Sequence, residues 1–147
     1  MTMMMHARTM SLTLGLSLLV ASAACGPKAE TGGTTAASGV RVTDVSVGRA
    51  IGGDKAITDG TDKFRPNDTI YASVATDGAS PSATLRAKWT FEGGQSVNES
   101  TQSIAPQKSE RTEFHISKPD GWPAGKYKLE IFLNDQAAGT KNFEVQR

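Results

Sequence analysis

From Val40 to the end of the chain, apolar and polar positions alternate with a period of two, and the alternation breaks at Gly, Pro, Asp and Asn. That is the signature of short, half-buried β-strands. In "VRVTDVSVG", Val40 and Val42 share one face while Val45 and Val47 fall in the opposite phase, which predicts a bulge or bend near Thr43-Asp44. "TIYASVAT" buries Ile70, Ala72 and Val74. "ATLRAKWTFE" turns Leu85, Ala87, Trp89 and Phe91 inward, and Gly93-Gly94 then reverses the chain. "QSVNESTQSI" reads as a weaker, polar edge strand, and "RTEFHIS" points Phe114 and Ile116 inward. "GKYKLEIFLN" buries Tyr127, Leu129, Ile131 and Leu133, leaving Lys126, Lys128, Glu130 and Phe132 outside. "TKNFEVQR" closes with Phe143 and Val145. The stretch "GGDKAITDGTDKFRPND" is polar and turn-rich, with room for a short strand around Ala56 to Thr58. No helical repeat of useful length follows residue 40, so the pattern predicts seven or eight strands in an all-β sandwich.

The first 25 residues follow a different logic. Arg8 supplies a positive start, an uncharged apolar run extends from Met10 to Ala24, and small residues precede Cys25, the only cysteine in the chain. This order matches an export signal. The run of 15 uncharged residues falls short of the roughly 20 needed to span a bilayer. Ala21-Ser22-Ala23-Ala24-Cys25 resembles the lipobox of bacterial lipoproteins. The resemblance implies cleavage before Cys25, lipid on its thiol and anchorage in the cell envelope. With Gly26 rather than Asp next in line, it further implies the outer membrane in a cell that has two. The alternative is an ordinary secretory signal cut after Ala21-Ser22-Ala23, leaving Cys25 as a free thiol. "GPKAETGGTTAASG", Gly26 to Gly39, has almost nothing apolar to bury and reads as a flexible tether reaching about 20 Å. The expected organisation is therefore a signal peptide over 1–24, a lipidated cysteine and linker over 25–39, and one domain over 40–147.

Within that domain, Trp89 in the third main strand and Tyr127 after "PDGWPAG" resemble the core tryptophan and corner tyrosine of immunoglobulin-like domains. The resemblance implies an immunoglobulin-like antiparallel β-sandwich of about seven strands and names no activity, since this fold hosts many functions.

Composition narrows the function classes. The chain of 147 residues carries a formal net charge of +1, and loss of Arg8 with the signal leaves 15 basic against 15 acidic residues. A balanced chain has no electrostatic attraction to nucleic acid. A single cysteine makes no internal disulfide, and no Cys/His cluster has zinc spacing. His115 lies on the outward face of its strand with no nucleophile frame nearby in sequence. Asp54, Asp59, Asp62 and Asp68 crowd one stretch, but their spacing is not that of a calcium loop, and Asp serves turns on its own account. No cofactor, metal or catalytic constellation is expected.

Three aromatics remain as candidate ligand or partner contacts. Phe132 and Tyr71 interrupt polar outward rows, either marking a partner surface or lying under a loop. Trp122, between Gly121 and Pro123, is either a plug closing one end of the sandwich or a stacking platform. The sequence thus points to a non-catalytic envelope module with a protein or glycan partner. The alternative is an accessory or inhibitory domain acting on an extracellular or periplasmic enzyme.

Overall fold

The computed structural model describes residues 39–147. The signal segment, Cys25 and all of the linker up to residue 38 lie outside the described residues. Strands β1 (Arg41–Ile51), β2 (Ile57–Gly60), β3 (Lys63–Phe64), β4 (Ile70–Asp77), β5 (Ala83–Phe91), β6 (Gln95–Ile104), β7 (Glu110–Ile116), β8 (Gly125–Leu133) and β9 (Gln136–Val145) form two sheets. One runs in the order β2-β1-β4-β7 and the other in the order β3-β9-β8-β5-β6. Every pairing is antiparallel except β3 with β9. This two-sheet order, with the β5 tryptophan between the layers, is an immunoglobulin-like β-sandwich.

The core follows the period-two pattern. Leu85, Ala87, Trp89, Leu129 and Ile131 are fully buried from one sheet, and Ile70, Ala72 and Val74 from the other. Each large apolar side chain removed from water contributes about 1.5–3 kcal/mol. The register of β1 against β4 slips between Val42 and Asp44, where the phase change placed a bulge. That slip lets Val42, Val45 and Val47 all reach the core. β6 is an edge strand, as its polarity predicted.

One pairing was not read from the sequence. β3 pairs in parallel with the last strand, and the amide N–H groups of Glu144 and Gln146 donate to the carbonyls of Asp62 and Phe64, each at 2.8 Å. This seats Phe64, 1% exposed, edge-on against Phe143 at 5.4 Å. The stretch "NDQAAG" reads as a tight connection and is tighter than its length: Asn134 and Asp135 both adopt left-handed backbone (φ 49° and 64°) in a two-residue hairpin loop, and β9 resumes at Gln136. The Asn134 carboxamide oxygen accepts the Thr84 N–H at 2.9 Å, pinning this hairpin to the start of β5.

Strand polarity gives the sandwich two distinct ends. Gly39, the β4–β5 and β6–β7 connections and the Asn134-Asp135 turn share one end, tied by the Ser80 N–H to the Pro106 carbonyl at 2.9 Å and by an Arg41–Asp77 ion pair. The segments 65–69, 92–94 and 117–124 gather at the other end. The nine residues of β5 separate the two by about 30 Å.

Candidate functional site: a cleft between two sheet edges

β6 and β7 are the edge strands of opposite sheets, and they flank the open side of the sandwich. Near the Gly39 end, the Gln102 side-chain amide bridges them by donating to the Glu113 carbonyl. Toward the far end the edges part and leave a cleft of about 510 Å³.

A bulge shapes its β6 wall. Trp89 faces Asn98 across the β5–β6 ladder but Thr90 faces Ser96, so Val97 is the extra residue. The bulged strand bends there, and Val97 reaches in against the core. The floor is aromatic. Phe91 lies 4.7 Å from Tyr127, Trp122 stands edge-on to Tyr127 at 6.2 Å, and Tyr127 stacks on Phe143 at 5.3 Å.

The polar atoms of these rings are engaged within the protein. The Trp122 indole N–H donates to the Asp68 carbonyl at 3.0 Å, its backbone N–H donates to Pro66, and the Tyr127 hydroxyl donates to Pro123 at 2.8 Å. Burial first, then the nearby Glu92 carboxylate, pushes the Tyr127 hydroxyl above its ordinary pKa, so it stays neutral. The rings accordingly offer carbon rather than donors to the cleft. Its rim is neutral and polar, with Gln95, Ser96, Asn98 and Ser117 exposed. Its two potential cations have acidic neighbours: Lys118 lies 4.0 Å from Asp120, and the His115 ring nitrogen lies 3.1 Å from Glu113.

Phe91 also borders a second and wider hollow of about 870 Å³ on the outer face of the five-stranded sheet. There Lys63, Lys126 and Lys128 alternate with Asp62, Glu92 and Glu144. Such interleaved charge is the ordinary chemistry of a solvated sheet face. The wall between the two hollows is the turn after Phe91, in which Glu92, Gly93 and Gly94 all have positive φ (32°, 71° and 112°). The Glu92 carboxylate holds this turn by accepting the Lys126 N–H at 3.0 Å.

The structure separates the three aromatics singled out by the sequence. Trp122 is 7% exposed and closes the far end, so it acts as the plug while still contributing a wall of the cleft. Phe132 lies on the outer face of the five-stranded sheet, where the Arg86 guanidinium covers its ring at 4.2 Å. Tyr71 sits opposite His115 in the β4–β7 ladder, ring centroids 5.6 Å apart, and is half-buried. They form no common surface. His115 is exposed, as its phase predicted.

The aspartates have separate tasks. Asp54 accepts the Ala56 N–H, Asp59 pairs with Arg49 and Asp68 accepts the Arg65 N–H. Among the described residues no three His, Cys, Asp or Glu side chains converge as metal ligands. The sequence reading missed Gln95, Asn98 and Phe91 as cleft residues. The one signal for them was the out-of-phase Val97 in an otherwise polar strand.

No family model and no curated protein sequence matches the chain. Among solved structures, it is similar to an immunoglobulin-like protein of Pseudomonas aeruginosa, with 15% identity over 75% of this chain and 99% of that one and a TM-score of 0.48. It is also similar to the CARDB domain of a Pyrococcus furiosus protein solved with di-metal ions, with 17% identity over 70% and 88% of the two chains and a TM-score of 0.43. A third likeness is to the DNA glycosylase AlkC of Pseudomonas fluorescens, with 13% identity, 74% of this chain covered and a TM-score of 0.47. The matched region spans 30% of that glycosylase. None of these likenesses carries a conclusion about activity.

Proposed function

We propose that this chain is a lipid-anchored protein of a bacterial cell envelope, whose immunoglobulin-like sandwich serves as a non-catalytic binding module. Cys25 is the attachment point, and the membrane is its first partner. Gly26 directs it to the outer membrane in a cell with two. The observation that supports this reading is the order at the start of the chain: Arg8, an uncharged run from Met10 to Ala24, then Cys25, the only cysteine, behind small residues. In the sandwich, Gly39, the last residue of the tether, lies at one end and the aromatic cleft lies toward the other, the ends being about 30 Å apart. A flexible tether that enters at one end leaves the cleft toward the opposite end free to meet a partner. Several acyl chains at Cys25, each buried CH₂ contributing about 0.8 kcal/mol, suffice for stable attachment. The test is metabolic labelling with palmitate in cells expressing the full chain or Cys25→Ala. Wild type is expected to be labelled and to sediment with membranes, and Cys25→Ala to be neither. An unlabelled, soluble wild type would overturn the reading.

A further inference from the structure

We propose that the cleft between β6 and β7 is a binding site for a short neutral saccharide. The inference rests on the binding-module reading and names the ligand class of that module's cleft. Three alternatives fit the observations less well. Addition of a peptide strand needs a regular ladder edge, but the stretch of β6 that borders the cleft is the stretch interrupted by the Val97 bulge. Further along the same edge, the Gln102 bridge to Glu113 already occupies the gap. An ionic ligand needs an uncompensated charge, and Lys118 and His115 each have an acidic neighbour. A wholly apolar ligand would leave the amide and hydroxyl rim without partners, at a cost for every polar group it buried.

What remains is a ring with apolar faces and a polar edge. A pyranose presents C–H groups above and below its plane and hydroxyls around it. The C–H face fits against the half-buried ring of Phe91, beside the exposed edge of the Trp122 plug, whose indole N–H is engaged elsewhere. The hydroxyls, each donor and acceptor at once, match the carboxamides of Gln95 and Asn98, which likewise offer both. The volume of about 510 Å³ lies within the usual range for a small-ligand pocket.

The experiment is titration of the full-length protein in detergent micelles, followed by ¹⁵N-resolved NMR, with methyl β-glucopyranoside, cellobiose, maltose and N,N′-diacetylchitobiose. At least one sugar is expected to cause saturable shifts confined to Phe91, Gln95 to Asn98 and the Trp122 indole N–H, with a Kd of about 1 mM. Gln95→Ala and Asn98→Ala, exposed changes that leave the core intact, are each expected to weaken binding roughly fivefold or more. Three results would overturn the proposal: no saturable shift with any sugar, undiminished binding by the Gln95→Ala/Asn98→Ala double variant, or saturation of the β6 amides by the capped peptide acetyl-Val-Thr-Val-Thr-amide instead. An intact mass taken on the same sample separates the two readings. Lipidated protein with a silent cleft fails this proposal alone, and unlipidated protein that binds sugar fails the anchor alone.

Discussion

The hydroxyl of Tyr127 donates a hydrogen bond to the carbonyl of Pro123, four residues earlier, at 2.8 Å. This contact ties the segment that carries Trp122 to the start of β8, beside the bonds that Trp122 itself makes to Asp68 and Pro66. The segment closes the far end of the sandwich and sets one side of the cleft. Tyr127→Phe keeps the ring and its stacking on Phe143 but removes the donor. The expected loss is about 1–2 kcal/mol in urea unfolding, with the slope of the transition unchanged.

The same residue has a pH signature. Its folded pKa lies above the unfolded value, first through burial and then through Glu92. The unfolded chain therefore releases this proton first. The stability tied to neutral Tyr127 is complete below about pH 10 and is lost as the pH rises through the folded value. Urea midpoints measured on the alkaline side should fall more steeply in wild type than in Tyr127→Phe.

At the opposite end, the Ser109 hydroxyl donates to Asp77 at 2.7 Å, and the Arg41 guanidinium lies beside the same carboxylate. The hydroxyl first, then the cation, holds Asp77 below the usual carboxylate range. Its contribution is present above the unfolded pKa and is lost as pH falls through the folded one. Ser109→Ala should raise the Asp77 pKa in an NMR titration and reduce the acid-side dependence of stability. An unchanged pKa would contradict the assignment.

Arg86 and Phe132 face each other in the β5–β8 ladder, and Arg86 also reaches Glu99 and Asp135 at 3.2 and 3.3 Å. The carboxylates hold the guanidinium over the ring. A double-mutant cycle with Arg86→Ala and Phe132→Ala should give a coupling of about 0.5–1 kcal/mol. Zero coupling would mark Phe132 as an uncommitted surface aromatic.

Gly125 (φ 152°) leaves room for the turn between the two hollows. A Cβ there would meet Glu92 Oε1 at 2.5 Å and the Phe91 ring at 2.7 Å. Gly125→Ala should therefore displace Phe91 and perturb the amide resonances of residues 91–97, while those of β1 and β4 stay in place.

Much of this architecture was legible because it is local. β5 and β8 alternate so regularly that Leu85, Ala87, Trp89, Leu129 and Ile131 were assigned to the core from period alone, and the phase change at Thr43-Asp44 located the β1 bulge. β3 was not legible. Two residues have no period, and their partner is the last strand, about 80 residues away. In the sequence, Phe64 is a lone aromatic within a polar, turn-rich stretch, and its burial comes only from the pairing of β3 with β9. The cleft was illegible for a related reason. It arises where the edges of two different sheets part, and neither strand records that gap in its own pattern. The exposed phase of Phe132 was readable, but the guanidinium covering it was not, because that contact needs the β5–β8 register.

The most direct test of the whole account is the intact mass of the protein extracted from membranes of cells that express it. The account predicts a polypeptide beginning at Cys25 and heavier than its sequence by the mass of several acyl chains. A chain recovered from the culture medium, beginning at Ala24 or earlier and carrying an unmodified thiol at Cys25, would contradict it.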